Sequence, residues 1–260
     1  VFLWTTNEKG IASKAIRHLR KFSYSNIPVV NENEYSIYRP AKFPINEESW
    51  KVLSFEENEF FKKIESYVAG GDLTRLNDIF SIRQGIRTGN NQIFKISRSF
   101  YENNIPKEEQ KYFNPVIDNE SIQYGNIILT NYVWYPYNKD GIIFHTENVL
   151  KTEASYFYNN VLLPNKETLS KRAGTAYWWG LTRPRNWQYN KNVKLCSTEF
   201  GKSGSFAFDK EGIYVIERGH GWIHKKEFKE NDYYFYLAIF CSTLFNSLLS
   251  IYSKQLAGGK

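Results

Sequence analysis

Residues 81–96 read SIRQGIRTGNNQIFKI. Apolar and polar residues alternate on either side of a glycine-bearing centre, the pattern of two strands joined by a turn. Gly85 and Gly89 permit left-handed backbone, and Asn90 with Asn91 suits a tight turn. The same stretch carries Arg83, Gln84, Arg87, Thr88, Asn90 and Asn91. No acidic residue occurs from 79 to 98, while Arg83, Arg87, Lys95 and Arg98 add positive charge. Arginine forks fit guanine edges or phosphate, and Asn and Gln amides fit adenine. Two readings stand side by side: a hairpin whose Gly and Asn satisfy turn geometry, or a docking point for something polar and anionic. The Gly-Lys-Ser/Thr ending of a phosphate loop and the dinucleotide fingerprint are both missing.

Outward from this turn, SFEENEFFKKIESYVAGG (54–71) predicts a helix. Ser54 and Glu57 form a capping box, Phe60, Phe61, Ile64 and Val68 make an apolar face, and Gly70-Gly71 ends it. A boundary is expected there, dividing an N-terminal segment, 1–71, from a domain at 72–260. Short strands follow to residue 145, helical pattern from 147 to 172 with a break at Pro164, then strands VKLCST, GSFAFD and IYVIER. A long helix from about Asp232 to Lys254 closes the chain. The expected class is α+β, a mixed and largely antiparallel sheet lobe with packed helices, not a βαβ series.

At 260 residues, 42% hydrophobic and 23% charged, the chain is long and apolar enough for a real core. The net charge of +7 favours an anionic partner. Aromatic content of 17% serves either a β-rich core or a contact surface. Cys196 and Cys241 have no zinc-site spacing and no disulfide framework, so a reduced, cytoplasmic setting is expected. No signal peptide or membrane-length apolar run is present, and no membrane partner is expected. The opening VFLWTT without Met and the closing QLAGGK read as the ends of a fragment.

The segment KRAGTAYWWGLTRPRNWQYNKNVK (171–194) holds Lys171, Arg172, Arg183, Arg185, Lys191 and Lys194 without a carboxylate. Tyr177, Trp178, Trp179, Trp187 and Tyr189 are interleaved. Cations neutralise phosphates, and aromatic faces stack on bases or sugars. Arg172, Arg183, Arg185, Lys191 and Lys194 are candidate phosphate clamps, and Pro184 is expected to hold Arg183 and Arg185 in an extended stretch. If Trp178-Trp179 lies in a strand, its rings point to opposite faces, one a core anchor and the other a contact. Lys202, Ser203 and His220, among glycines, are weaker contact candidates. No nucleophile elbow, triad, metal cluster or nuclease signature appears, and His18, His145 and His224 have no partner spacing.

Together these segments resemble the TaqI-like C-terminal specificity domain, the target recognition domain, of adenine-specific DNA methyltransferases, a family that includes the fused type IIG restriction-modification enzymes. The resemblance runs through LNDIFSIRQGIRTGNNQIFKI, LLPNKETLSKRAGTAYWWGLTRPR, GSFAFDKEGIYVIE and AIFCSTLFNSLLSIYSKQLAGGK, in that order over residues 72–260. It implies a module that grips double-stranded DNA and reads a target. A separate catalytic domain of the same polypeptide would bind S-adenosylmethionine and methylate a flipped adenine, with Mg required if a nuclease domain is also present. That catalytic domain's Asn-Pro-Pro-Tyr-like motif is absent: Asn114-Pro115 is followed by Val116 and Ile117. The chain by itself is therefore expected to hold no cofactor and no catalytic residue. Three other classes remain: an enzyme whose nuclease or methyl-transfer site is assembled from dispersed residues, a specificity-subunit-like protein of a multisubunit restriction system, and a carbohydrate module stacking sugars on Trp178, Trp179 and Trp187.

Overall fold

The computed structural model describes residues 2–22, 29–39, 53–199 and 204–252. The chain divides into Val1–Arg75 with Leu248–Lys260, and Leu76–Ser247. In the first unit β1 (Phe2–Thr5), α1 (Ile11–Leu19), β2 (Val30–Asn31), β3 (Tyr35–Tyr38) and α2 (Phe55–Gly70) follow in order. The strands form an antiparallel sheet β1-β3-β2. Ile11 and Ala15 of α1 pack on Tyr35 and Ile37. The α2 helix starts and stops as its sequence predicts. The Ser54 hydroxyl accepts from Glu57 N, the Glu57 carboxylate accepts from Ser54 N, and Gly71 caps the end at φ 84°.

The second unit begins with α3 (Leu76–Ile79), β4 (Phe80–Gln84), α4 (Asn91–Phe94), β5 (Lys95–Ser97), α5 (Arg98–Asn104) and β6 (Phe113–Ile117). Two small hairpins follow, β7 (Ile122–Gln123) with β8 (Asn126–Ile127), and, after β9 (Asn131–Trp134), β10 (Tyr137–Asn138) with β11 (Gly141–Ile142). Then come α6 (Glu147–Glu153), α7 (Ser155–Phe157), α8 (Lys166–Ser170), β12 (Lys194–Thr198), β13 (Phe206–Asp209), β14 (Val215–Ile216), β15 (Gly219–His224), α9 (Glu230–Phe240) and α10 (Thr243–Tyr252), whose residues from Leu248 onward belong to the first unit. The class is α+β. One sheet, β13-β12-β15-β4, is wholly antiparallel; the other, β14-β6-β9-β5, is antiparallel except for its parallel β14-β6 pair.

The hairpin expected at 81–96 does not form. β4 is an edge of the first sheet and β5 an edge of the second, so the stretch crosses from one sheet to the other. Ile82 pairs with Trp222 and Ile96 with Tyr132. Alternation marked both segments as strands, but backbone groups are alike at every residue, so alternation cannot name a strand's partner.

Aromatic residues fill both cores. Trp134 stacks near Phe144 and Phe157, at 5.7 and 4.8 Å between centroids. On the first sheet, Phe80, Phe206 and Trp222 pack against Phe240 of α9. Two helical expectations are corrected. Around Pro164 the chain passes through a π-helical turn, Tyr158–Leu162, and a 3₁₀ turn, Leu163–Asn165, rather than one break. The closing helix is two, α9 and α10, separated at Cys241-Ser242; there the Ser242 hydroxyl donates to Ile239 O and accepts from Phe245 N, which starts a new helix. Among the described residues no single helix is long and apolar enough to cross a membrane.

Candidate nucleic-acid interface

The crossover backbone is held at each residue. Gly85 N donates to Gly219 O at 3.0 Å, Ile86 N to Ile216 O at 2.7 Å, and Arg87 N to Arg183 O at 2.9 Å. A Cβ on Gly85 would lie 2.6 Å from Ile216 O, so the approach requires glycine. Gly89 sits at φ 80°, and its Cβ would lie 2.5 Å from Thr182 Cγ2. The glycines thus serve the meeting of three chain segments, not a hairpin loop.

Thr88 is 1% exposed. Its hydroxyl donates to Asn91 Oδ1 and accepts from Asn90 N. Asn90 Oδ1 accepts from Ile93 N, capping the α4 turn, and Asn91 Nδ2 donates to Glu217 Oε1 at 2.9 Å. Thr88 is therefore a buried internal strut rather than a contact, and Asn90 and Asn91 are half-buried with internal partners.

The arginines divide into two kinds. Arg87 and Arg183 form an antiparallel bridge, with reciprocal N–H···O bonds of 2.9 Å. Residues opposite one another in such a pair project to one face, so two cations are juxtaposed. Both are exposed, and neither side chain has a hydrogen bond or carboxylate partner among the described residues. Arg83 is also exposed, with Nε 3.4 Å from Ser81 Oγ.

Arg185 is different. It adopts φ 58°, and its guanidinium donates to Gly85 O at 3.2 Å and Gln84 Oε1 at 2.6 Å. Pro184 O accepts from the Tyr135 hydroxyl at 2.9 Å, and burial raises that hydroxyl's pKa. The extended Arg-Pro-Arg expectation is thus corrected: the chain turns at Arg185, whose guanidinium serves the fold together with Gln84.

Two further phosphate-clamp candidates, Arg172 and Lys194, are engaged inside the fold. Arg172 donates to Leu169 O, Thr88 O, Trp178 O and Gly180 O, and its guanidinium lies 4.7 Å from the Phe94 ring centroid. Burial lowers its pKa. It pins the crossover to the 178–180 loop. Lys194 is 2% exposed and pairs with Asp209 at 2.5 Å inside β12-β13. Lys191 stays exposed.

The Trp pair lies in a loop, not a strand. Trp179 is buried and donates to Phe144 O at 3.2 Å, whereas Trp178 is half-buried with Lys166 Nζ 5.0 Å from its ring. Trp187 donates to Gln84 O. His220 is half-buried on β15, opposite Gln84 and Ser197. Lys202 and Ser203 lie outside the described residues.

Lys95, counted among the turn's positive charges, is neutralised by Asp118 at 2.8 Å. Burial alone would push the Asp118 carboxyl up. Hydrogen bonds from Lys95 and Ser121 outweigh it and hold the carboxyl below its usual value. A depressed carboxyl contributes stability that is complete above the unfolded value, near pH 4, and is lost as acid titrates the folded group. Thermal melts from pH 6 to pH 2 should therefore show a fall in Tm below about pH 4 that Asp118→Asn makes shallower. A slope identical in the variant would remove Asp118 as a cause.

Between these segments lies an open cleft of about 680 Å³. Gln84, Arg87, Asn90, Glu199, Glu217 and Arg218 are among its lining residues. Its polar lining, among the described residues, is made of amides, threonine hydroxyls, two arginines and two carboxylates, Glu199 and Glu217. Glu199, Glu217 and Arg218 escaped the sequence reading, because Glu217 meets Asn91 across a separation of 126 residues. The only local sign was a carboxylate next to the Gly-rich RGHG. No protein-family model matches this chain, and no characterised protein matches it in sequence.

Proposed function

We propose that Leu76–Ser247 is a sequence-specific, non-catalytic recognition module for double-stranded DNA, serving an adenine methyltransferase of a cytoplasmic restriction-modification system. The observation that carries this reading is the Arg87–Arg183 bridge. Like charges directly opposed across a strand pair destabilise the free protein. A phosphate group between them turns that repulsion into two charge-assisted contacts. The cleft beside the pair is also lined by the exposed Arg218, whose guanidinium suits a guanine edge or a phosphate. In this reading, S-adenosylmethionine binding, methyl transfer and any Mg-dependent cleavage belong to other domains of the polypeptide. A specificity subunit of a multisubunit system would share the same DNA chemistry. The sugar-platform alternative has less support, since Trp179 is buried and Trp187 has its indole N–H on Gln84 O.

Duplex affinity measured against salt concentration tests the proposal. The logarithm of the binding constant should fall linearly with the logarithm of salt. Arg87→Ala and Arg183→Ala should each lower that slope by about one unit. Neither should lower Tm, because each removes one of two opposed like charges. If Arg87 reads a base, its loss should instead cost about 1–3 kcal/mol at the cognate site alone. A protein that ignores duplexes but binds oligosaccharides independently of salt would overturn the reading.

A further inference from the structure

Tyr124 is 90% exposed, and its backbone is left-handed at φ 48°. With Gly125 at φ 85° it forms the two-residue turn of the β7-β8 hairpin. A hairpin turn with both central residues at positive φ is the type I′ kind, for which Asn-Gly is the favoured pair. A bulky residue held there costs stability, and a ring left in water recovers none of it by burial. The turn is nonetheless firmly held. Asn126 Nδ2 donates to Tyr124 O at 3.3 Å, and Ile128 N donates to Ser121 O at 2.7 Å. Ile122 and Ile127 of the hairpin pack on Cys196, Ala207 and Ile216. A fixed hairpin thus presents one aromatic ring to solvent against the preference of its own turn.

The hairpin shares a face of the first sheet with an exposed arginine. Arg83 pairs with Gly221, Gly221 with Cys196, and Cys196 with Ala207, and residues opposed in register project to one face. Ala207 in turn bridges Gly125. Cys196 and Ala207 meet the hairpin's isoleucines, so Arg83 projects to the hairpin's side. Phe80, Phe206 and Trp222 alternate to the side packed on α9. Four strand spacings, about 19 Å, separate Arg83 from Gly125, the length of roughly five or six base-pair steps.

We infer that Tyr124 is a wedge that stacks on an opened base step of the duplex, across the sheet from Arg83. The inference rests on the DNA reading above. An uncharged ring adds nothing to phosphate neutralisation. What it offers a nucleic acid is a flat face for a base, and a wedge entering between steps needs the stiff mount that the paired turn supplies.

Binding to a duplex selected from random sequences with the unmodified chain, compared with Tyr124→Asn and Tyr124→Phe, tests this. Tyr124→Asn should weaken binding about 10-fold or more and leave the salt slope unchanged, since no charge is lost. It should also raise Tm by about 2–4 °C, because asparagine suits the turn. Tyr124→Phe keeps the ring and should bind within about twofold of the unmodified chain. A single mismatch moved through the duplex should reveal a step at which the unmodified chain binds more tightly, because an unpaired step opens more easily. Tyr124→Asn should lose that gain. Unchanged binding by Tyr124→Asn, an equal loss in Tyr124→Phe, or no favoured mismatch overturns the wedge while leaving DNA recognition standing. A lower Tm in Tyr124→Asn overturns it too, by making the ring part of the fold. A chain that binds no duplex overturns the DNA reading itself.

Discussion

Lys194→Ala should destabilise the protein by about 3–5 kcal/mol, the cost of leaving one member of a buried ion pair without its partner. For a unit of this size that corresponds to a fall in Tm of roughly 10 °C. Lys194 and Asp209 have side chains 3% and 1% exposed. Asp209 also accepts from Ile213 N and Tyr214 N, and Lys194 donates to Asn192 O. Truncating the lysine leaves a buried carboxylate that holds the 209–214 turn with no countercharge. Two controls separate this from a phosphate contact. Lys191→Ala, at an exposed neighbouring position, should change stability by less than about 0.5 kcal/mol. Lys194→Met combined with Asp209→Leu should recover part of the loss, since an apolar pair avoids the desolvation penalty. A Lys194→Ala protein with unchanged Tm and a shallower salt slope would return Lys194 to the DNA surface.

Arg172→Ala should cost about 3 kcal/mol, and the loss should appear as a lower urea midpoint. One guanidinium serves four carbonyls, at 3.0 Å (Leu169), 2.8 Å (Thr88), 2.6 Å (Trp178) and 3.0 Å (Gly180). Each unpaired buried acceptor costs about 1–3 kcal/mol, and water entering the vacated space recovers part of the sum. Arg172→Lys should restore less than half, because an ammonium has neither the planar fork nor the stacking face that lies on Phe94. Since Thr88 O is one of the four acceptors, the variant should also loosen the crossover and weaken sequence preference among duplexes. An unchanged midpoint with a salt slope lower by about one unit would make Arg172 a phosphate clamp instead.

These two expectations show how the basic segment divides its work. Of its six cations, Lys194 and Arg172 hold the fold together, and Arg185 holds Gln84 and Gly85. Arg183 faces solvent beside Arg87. Cations that are alike in the sequence become structural or available according to whether carbonyls and carboxylates reach them first.

What the sequence determined by itself was local. The α2 helix, its capping box and its Gly71 end could be predicted because each signal lies within four residues of the group it satisfies. The α+β class followed from alternation and turn residues, and the strands at VKLCST and GSFAFD were marked by their apolar pattern. Partnership was decided by the tertiary structure alone. Residues 81–96 contain two strand segments and a turn, as their pattern predicts, but the hairpin is replaced by a crossing between sheets. The turn's backbone groups bond to Ile216, Gly219 and Arg183, more than ninety residues further along the chain. Every residue presents the same N–H and C=O, so which strand answers which is settled by packing that spans the whole unit. For that reason the sequence could mark Arg87 and Arg183 as basic, while only the fold set them opposite one another and brought Glu217 to Asn91.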